Sequence, residues 1–392
     1  MRKVVLGVAL VVAVVAAALV ALWPSARPRI DATVSVREAL ASDDAGFARA
    51  LAPRPFAFPA DHGPHPDFRT EWWYYTGNLH TAAGRHFGFQ LTFFRIALAP
   101  GAELATSAPG VTPAASIAPR ASAWATRQLY VAHFAVTDTA GGRFHAFSRT
   151  NRQALGLAGA SVSPYRVWLD DWSAEGNGSS ARLHAGEDDV AIDLSVTAAK
   201  PIVLQGDRGL SRKGPEPGNA SFYYSITRMP ARGTLRVGRE RFEVSGSAWM
   251  DREWSTSALS RNVVGWDWFA LQLDDGRELM VYLLRHRDGT IDPFSAGTLV
   301  AADGTTRALG PADVRVETLA HWTSPRSGVR YPARWRLSAP SASLSLELAP
   351  RQADQELIVG TRYWEGAVIV SGSTAAQRLT GQGYVELVGY AE

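Results

Sequence analysis

One segment of the chain combines carboxylates with indoles at strand spacing, Ser247-Ala-Trp-Met-Asp-Arg-Glu-Trp254. On a β-strand alternate side chains share a face, so Trp249, Asp251 and Glu253 would point the same way. A carboxyl held among indoles loses hydration, which raises its pKa, and such an acid can donate a proton near neutrality. The indole faces could also stabilise a developing cation. We therefore predict Asp251 as a general acid; the alternative is a structural role, in which it pairs with neighbours of Arg252 or caps a turn.

A second segment, Asp67-Phe-Arg-Thr-Glu-Trp-Trp-Tyr-Tyr-Thr-Gly-Asn-Leu79, holds four consecutive aromatic residues behind a carboxylate. On a strand, Trp72 and Tyr74 would lie on one face and Glu71 and Trp73 on the other. Aromatic residues on both faces indicate two buried faces, or one buried face and one that lines a cavity. A Trp-rich sheet that only packs a core explains the segment equally well.

A glycine-rich loop precedes two adjacent tyrosines and carries Lys213. Such a loop could cover the mouth of a pocket, with Lys213 meeting an anionic head group. It could equally be an ordinary hairpin loop, with the tyrosines in the core. The complete predicted ligand-binding set is Glu71, Trp72, Trp73, Tyr74, Lys213, Tyr223, Tyr224, Trp249, Glu253, Trp254, Trp266 and Trp268.

Several kinds of chemistry are not indicated. The sequence has no G-x-S-x-G, H-E-x-x-H or P-loop motif, and it has no cysteine. A serine nucleophile stays open, but no motif selects one. Asp61, His62 and His65 could bind a metal, yet Pro64 favours a rigid turn, and a zinc site needs further ligands. We predict neither a metal nor a cofactor.

The composition argues against nucleic acid as a partner. The 392 residues include 40 Lys and Arg against 37 Asp and Glu, and the two signs are mixed along the chain without a basic run.

The amino end predicts export. Arg2 and Lys3 precede an apolar run from Val4 to Trp23, close to the ~20 residues that a spanning helix needs. The three alanines from Ala16 also offer a cleavage site. We predict a signal peptide or membrane anchor over residues 1–29 and a periplasmic or extracytoplasmic location, with membrane contact through this N-terminal segment if it is not cleaved.

The rest of the chain reads as all-β. A short helix at Val36 to Leu51 is expected in a linker over residues 30–58, and short strands with period-two alternation follow, as in Val190 to Val196. Ala99 to Ala125, rich in Ala, Pro, Ser and Thr, predicts a long surface loop or a lid.

Two internal similarities indicate a duplicated domain. A hairpin from Trp73 to Arg95 resembles one from Gly265 to Arg285, and Gly246-Ser-Ala-Trp-Met-Asp251 resembles Gly381-Gln-Gly-Tyr-Val-Glu386. We predict one β-barrel over residues 59–255 and a second over residues 256–392. Barrels of about eight strands can hold one small ligand; a β-sandwich without a cavity is the alternative.

These segments together resemble the AttH and hydroxyneurosporene synthase family. The similarity runs from about Phe47 to the carboxyl end and is carried by the segments Asp61 to Leu79, Leu204 to Gly214, Tyr223-Tyr-Ser225, Ala248 to Trp254, Tyr363-Trp-Glu-Gly366 and Gly383-Tyr-Val-Glu386. The resemblance implies two lipocalin-like barrels, exported in the AttH branch, which is often described as a predicted secreted hydrolase. It also implies association with an ABC transporter that has an FtsX-like permease.

The other branch of the family hydrates a terminal double bond of an acyclic carotenoid without a cofactor. The resemblance would make Asp251 the acid that protonates the alkene. Trp249 stands where that branch tends to carry tyrosine, and this chain also has the predicted export segment; both departures weaken a specific carotenoid assignment. Three hypotheses follow: an exported protein that binds a lipid or isoprenoid and serves a transporter, a hydratase or hydrolase of an apolar substrate that uses Asp251, and a scaffold without a pocket.

Overall fold

The protein is all-β in a computed structural model, which describes residues 45–100, 126–260, 262–374 and 378–391. The predicted signal peptide or anchor lies outside the described residues, as do residues 101–125 of the predicted loop. The helix expected in the linker falls mostly on residues 36–44, which also lie outside; its described end, residues 45–51, is not helical. In the described ranges no helix has the length and apolar character needed to cross a membrane.

The first sheet contains thirteen strands. They are β1 (Thr70–His80), β2 (His86–Ala97), β3 (Gln128–Asp138), β4 (Arg143–Arg152), β5 (Ala158–Ser161), β6 (Tyr165–Leu169), β7 (Trp172–Gly176), β8 (Ser180–Glu187), β9 (Val190–Thr197), β10 (Val203–Leu204), β11 (Leu210–Arg212), β12 (Ala220–Val237) and β13 (Glu240–Ser255).

The second sheet contains ten strands. They are β14 (Val263–Leu273), β15 (Glu278–His286), β16 (Ala296–Val300), β17 (Thr306–Leu309), β18 (Arg315–Thr323), β19 (Arg330–Ala339), β20 (Leu344–Pro350), β21 (Glu356–Ile358), β22 (Arg362–Ser373) and β23 (Arg378–Val388). Two short 3-10 helices cover Ala60–His62 and Pro340–Ala342.

Both sheets are barrel-like, one nearly closed and the other a half-barrel. The first is ordered β4-β3-β2-β1-β13-β12-β9-β8-β7-β6-β5, and the second is ordered β17-β16-β15-β14-β23-β22-β20-β19-β18. Alternation explains which side chains fill them: in β9, Val190, Ile192, Leu194 and Val196 are buried and the residues between them are more exposed. The fold class predicted from the sequence is confirmed.

Strand β1 is buried on both faces. Trp73 and Tyr75 belong to the core of the first barrel, whereas Tyr74 packs in a separate aromatic cluster that also contains Trp249 and Trp268. This second cluster draws its members from both sheets. The aromatic run is therefore shared between a barrel interior and the space between the sheets.

The internal similarity is visible in the strand pairing. β1 lies between β2 and β13, and β14 lies between β15 and β23. Tyr74 is opposite Asp251 in the first sheet, and Trp268 is opposite Glu386 in the second. Asp251 and Glu386 thus occupy equivalent positions. The first sheet ends at Ser255 and the second begins at Val263, but both belong to one compact unit, so independent folding of two domains stays a prediction.

Candidate functional site

A cavity of about 80 Å³ lies between the two sheets. One buried water needs only ~10–15 Å³ on this measure, so the cavity can take several waters or part of a small ligand. Its wall consists mainly of aromatic rings with a few acids, and the lining residues are Trp72, Tyr74, Gln90, Phe94, Lys213, Tyr223, Asp251, Glu253, Ala258, Leu259, Trp266, Trp268, Tyr282, Leu284, Tyr363, Glu365 and Glu386.

Asp251 faces this cavity from β13 and is only 3% exposed. Its Oδ1 accepts hydrogen bonds from Ser225 Oγ at 2.5 Å and Trp249 Nε1 at 2.7 Å, and its Oδ2 accepts one from Tyr223 Oη at 2.6 Å. Burial raises the pKa of Asp251 to about 7, and the three donors act in the opposite direction. A carboxyl poised near neutrality, with its orientation fixed, suits proton transfer.

Lys213 and Glu253 form an ion pair at the same cavity. Lys213 Nζ lies 3.1 Å from Glu253 Oε1 and 4.2 Å from the centre of the Tyr282 ring. Burial acts to lower the pKa of Lys213, but Glu253, Tyr282 and Asp251 together outweigh it, and the net shift is upward. The ammonium group therefore stays charged and is engaged by a carboxylate that is itself buried.

Glu365 and Glu386 form a second acidic centre that the sequence-based set of site residues did not include. They lie directly opposite each other on β22 and β23. Burial and then the adjacent Glu386 raise the pKa of Glu365 well above its usual range, and burial raises the pKa of Glu386 to about 8. The similarity between the segments ending at Asp251 and Glu386 was the signal that could have identified Glu386.

The structure places most of the predicted ligand-binding residues around one cavity. Those that line it are Trp72, Tyr74, Lys213, Tyr223, Glu253, Trp266 and Trp268, together with the predicted acid Asp251. Trp249 does not line it but packs beside it and donates to Asp251.

The remaining predicted residues do not line the cavity; they are Glu71, Trp73, Tyr224 and Trp254. Their strands are β1, β12 and β13, and alternate positions on these strands face the interior of the first barrel. Glu71 is fully buried there and forms ion pairs with Arg95 and Arg252. These two guanidinium groups outweigh the burial and hold the pKa of Glu71 well below its usual range. A ligand confined to the cavity would not contact this cluster.

The residues considered as metal ligands are engaged in other contacts. Asp61 Oδ1 accepts a hydrogen bond from Arg54 at 2.5 Å and lies 3.1 Å from His65 Nε2. His62 Nδ1 lies 2.6 Å from the hydroxyl of Tyr224. These contacts fix the 3-10 helix at Ala60–His62 against the barrel.

Comparison with known proteins identifies relatives over nearly the whole chain. The family model described as AttH-like matches residues 49–390. A crystal structure described as an AttH from Nitrosomonas europaea is 35% identical, covers 88% of this chain and 100% of its own, and superposes with a TM-score of 0.74. No curated protein sequence matches.

Two further crystal structures share the fold at lower identity. Kievitone hydratase from Nectria haematococca is 16% identical, with 89% of this chain and 98% of its own covered and a TM-score of 0.63. The structure of CghA with Sch210972 is 15% identical, covers 89% of this chain and 97% of its own, and superposes with a TM-score of 0.50. At these identities the similarity establishes the fold alone. The family-model match and the Nitrosomonas structure show that the chain belongs to the AttH-like family.

Proposed function

We propose that this protein adds water across a carbon–carbon double bond of an apolar, carotenoid-like substrate, with Asp251 as general acid. The observation that carries the proposal is the state of Asp251: a buried carboxyl with a pKa raised by burial to about 7, held by three hydrogen bonds at the wall of an aromatic cavity. At neutral pH a large fraction of such a group carries the proton that an alkene must receive.

The reaction follows from this placement. The π electrons of the alkene take the Asp251 proton, so that a C–H bond forms, the O–H bond breaks and a cation remains at the more substituted carbon. A water oxygen then attacks that carbon and forms the C–O bond. The excess proton on the bound water returns to the Asp251 carboxylate, so the net change is the addition of one water molecule.

The cavity wall is suited to the cationic intermediate. The rings of Trp72, Tyr74 and Trp268 line it, and aromatic faces attract cations. The reaction class is the one that the name of the kievitone hydratase gives, and that protein shares the fold with this chain. Hydrolysis of an apolar substrate through the same acid is the related alternative.

The test uses the purified protein with an acyclic carotenoid in water labelled with heavy oxygen. We expect mass spectrometry to find a product that has gained one labelled water, with turnover that falls as the pH rises through about 7, because the acid must be protonated. Asp251→Asn should abolish turnover and leave ligand affinity unchanged. Turnover that survives this substitution would remove Asp251 from the mechanism.

A second function is a ligand-binding role, in which an exported protein holds a lipid or isoprenoid and serves an ABC transporter with an FtsX-like permease. The predominance of rings over polar groups in the cavity wall favours an apolar ligand. Native mass spectrometry of the protein purified from its own host would detect such a ligand, and reconstitution with a permease would test the association. A cavity that no apolar compound fills would argue against this role.

A further inference from the structure

The acids of the cavity outnumber its cations. Four acids line it: Asp251, Glu253, Glu365 and Glu386. Among the described lining residues, Lys213 is the one lysine or arginine. Lys213 is already paired with Glu253. In the described part of the chain no lysine, arginine or histidine forms an ion pair with Glu365 or Glu386.

Glu365 has an oxygen whose hydrogen bonding is incomplete. The residue is 1% exposed, and its Oε1 accepts a hydrogen bond from the Tyr74 hydroxyl. Its Oε2 is buried and accepts no hydrogen bond of ordinary geometry from the described residues. The nearby Tyr363 hydroxyl acts on this carboxyl and lowers its pKa, but it does not offset burial and the charge of Glu386. A buried carboxyl oxygen in this state requires a proton or a cation, since an isolated buried charge is strongly unfavourable. The opposed Glu386 adds to that requirement, because like charges directly across two strands repel.

Aromatic rings surround these two carboxyls. Tyr74 reaches Glu365 by its hydroxyl, Trp266 lines the same cavity, and Trp268 lies opposite Glu386 on β14. The Tyr74 and Trp268 rings meet edge to face with their centres 5.2 Å apart. Rings combined with carboxylates form the environment that proteins use to bind quaternary ammonium groups. A small metal ion fits less well, because the described residues contain no group of three or more ligands placed to hold one.

We propose that Glu365 and Glu386 form a binding site for an organic cation of the quaternary ammonium type, which lies against the indoles and displaces one of the protons that the two carboxyls hold in the unliganded protein. The displaced proton passes to the solvent, and the cation then neutralises the charge that it leaves behind. This site does not depend on catalysis by Asp251. If the cavity does hydrate an alkene, the same two carboxyls lie beside the cationic intermediate.

The proton and the cation compete for the same carboxyls, so affinity for the cation rises with pH. The other ionisable groups facing the site are Asp251 and Glu253 from β13, Lys213 after β11, Tyr74 from β1, Tyr223 from β12, Tyr282 from β15 and Tyr363 from β22. Burial raises the pKa of Tyr74, Tyr223 and Tyr363 well above their usual range, so these hydroxyls stay neutral. Ionisation of Asp251 adds negative charge and strengthens the same trend.

The test compares choline with its neutral carbon analogue, in which carbon replaces the quaternary nitrogen. Isothermal titration calorimetry of the full protein in two buffers of different ionisation enthalpy gives both the affinity and the number of protons released. At about pH 7 we expect choline to bind at least about tenfold more tightly than the analogue and to release close to one proton. Equal affinity for the two compounds would overturn the proposal without any variant.

Two isosteric variants locate the site. Glu386→Gln and Glu365→Gln should each weaken choline binding by about tenfold or more, reduce proton release and leave binding of the neutral analogue unchanged. Asp251→Asn is the matched cavity control and should still bind choline and release a proton, although the proposed hydration predicts that it loses turnover. Choline affinity that both glutamate variants retain would overturn the site, whereas loss of turnover in Asp251→Asn bears only on hydration.

Discussion

At Asp251, burial and hydrogen bonding act in opposite directions. Removal from water favours the neutral carboxyl, and the donors Ser225, Tyr223 and Trp249 favour the carboxylate. Glu71 has a different balance, because Arg95 and Arg252 outweigh its complete burial. The pKa of Asp251 is therefore raised and that of Glu71 is lowered, although the two residues lie on the paired strands β13 and β1. The sequence alone did not show that they belong to separate sites.

The raised pKa of Asp251 makes stability depend on pH. The pKa of Asp251 is about 7 in the folded protein, whereas its ordinary value is 3.8, so the folded protein holds the proton more tightly than the unfolded chain does. The contribution of this proton to the free energy of unfolding is therefore complete below pH 3.8 and is lost as the pH rises to about 7. Asp251→Asn cannot titrate. From about pH 5 to about pH 7 we expect wild-type stability to fall relative to this variant by on the order of 2–3 kcal/mol.

Urea unfolding of both proteins at the two pH values measures this difference. Glu216→Gln, at an exposed carboxylate, is the control and should follow the wild type at both values. A wild type and an Asp251→Asn variant with the same pH dependence would mean that Asp251 is ionised in the folded protein across this range.

At the scale of strands, the sequence predicted the faces of β1 and β13 but not the meeting of β22 with β1. The period-two alternation places Trp72 and Tyr74 together, as the structure does. The hydrogen bond from Tyr74 to Glu365 joins residues far apart in the chain, and such non-local contacts depend on how two curved sheets pack. This is why Glu365 and Glu386 were absent from the predicted set although both lie in segments that carried the family resemblance.

Strand β13 approaches β1 closely at Gly246. A Cβ atom there would lie 2.0 Å from the Asn78 carbonyl oxygen and 2.9 Å from Leu79 Cα, both backbone atoms that cannot rotate away. We expect Gly246→Ala to lower the free energy of unfolding by about 1–3 kcal/mol, because β1 and β13 must separate. Chemical denaturation measures the loss.

Gly310→Ala is the matched control, since the nearest atom to its added Cβ is Asp313 Oδ2 at 3.6 Å, an ordinary contact. If Gly246→Ala and Gly310→Ala unfold at the same denaturant concentration, β1 and β13 can accommodate the added methyl group without loss of stability, and the prediction is wrong.

At the scale of the whole molecule, the cavity depends on polar contacts between the sheets. Gln205 beside β10 accepts a hydrogen bond from Thr298 on β16 at 2.6 Å, and Gln355 beside β21 accepts one from Thr137 on β3 at 2.7 Å. These contacts are reciprocal, since each sheet region contributes one glutamine to the other. They join the two sheets that supply Asp251 and Glu386 to one cavity.

Glu278 makes an ionic contact between the two sheets, and the last prediction concerns it. Its fully buried carboxylate, on β15, accepts from Lys200 Nζ at 2.8 Å and from Arg228 Nε at 2.5 Å, both from the first sheet region. Glu278→Gln leaves these two cations without their counter-charge, one of them almost fully buried and the other half-buried. We expect the free energy of unfolding to fall by about 3–5 kcal/mol, as is typical when one partner of a buried ion pair is removed.

Urea unfolding monitored by tryptophan fluorescence measures this loss. Glu347→Gln is the control, because Glu347 also pairs with two arginines, Arg334 and Arg336, but does so on the exposed surface of the second sheet. Water and salt screen that pair, so its removal should leave the midpoint almost unchanged. Equal midpoints for the two variants would mean that the interface does not depend on the charge of Glu278.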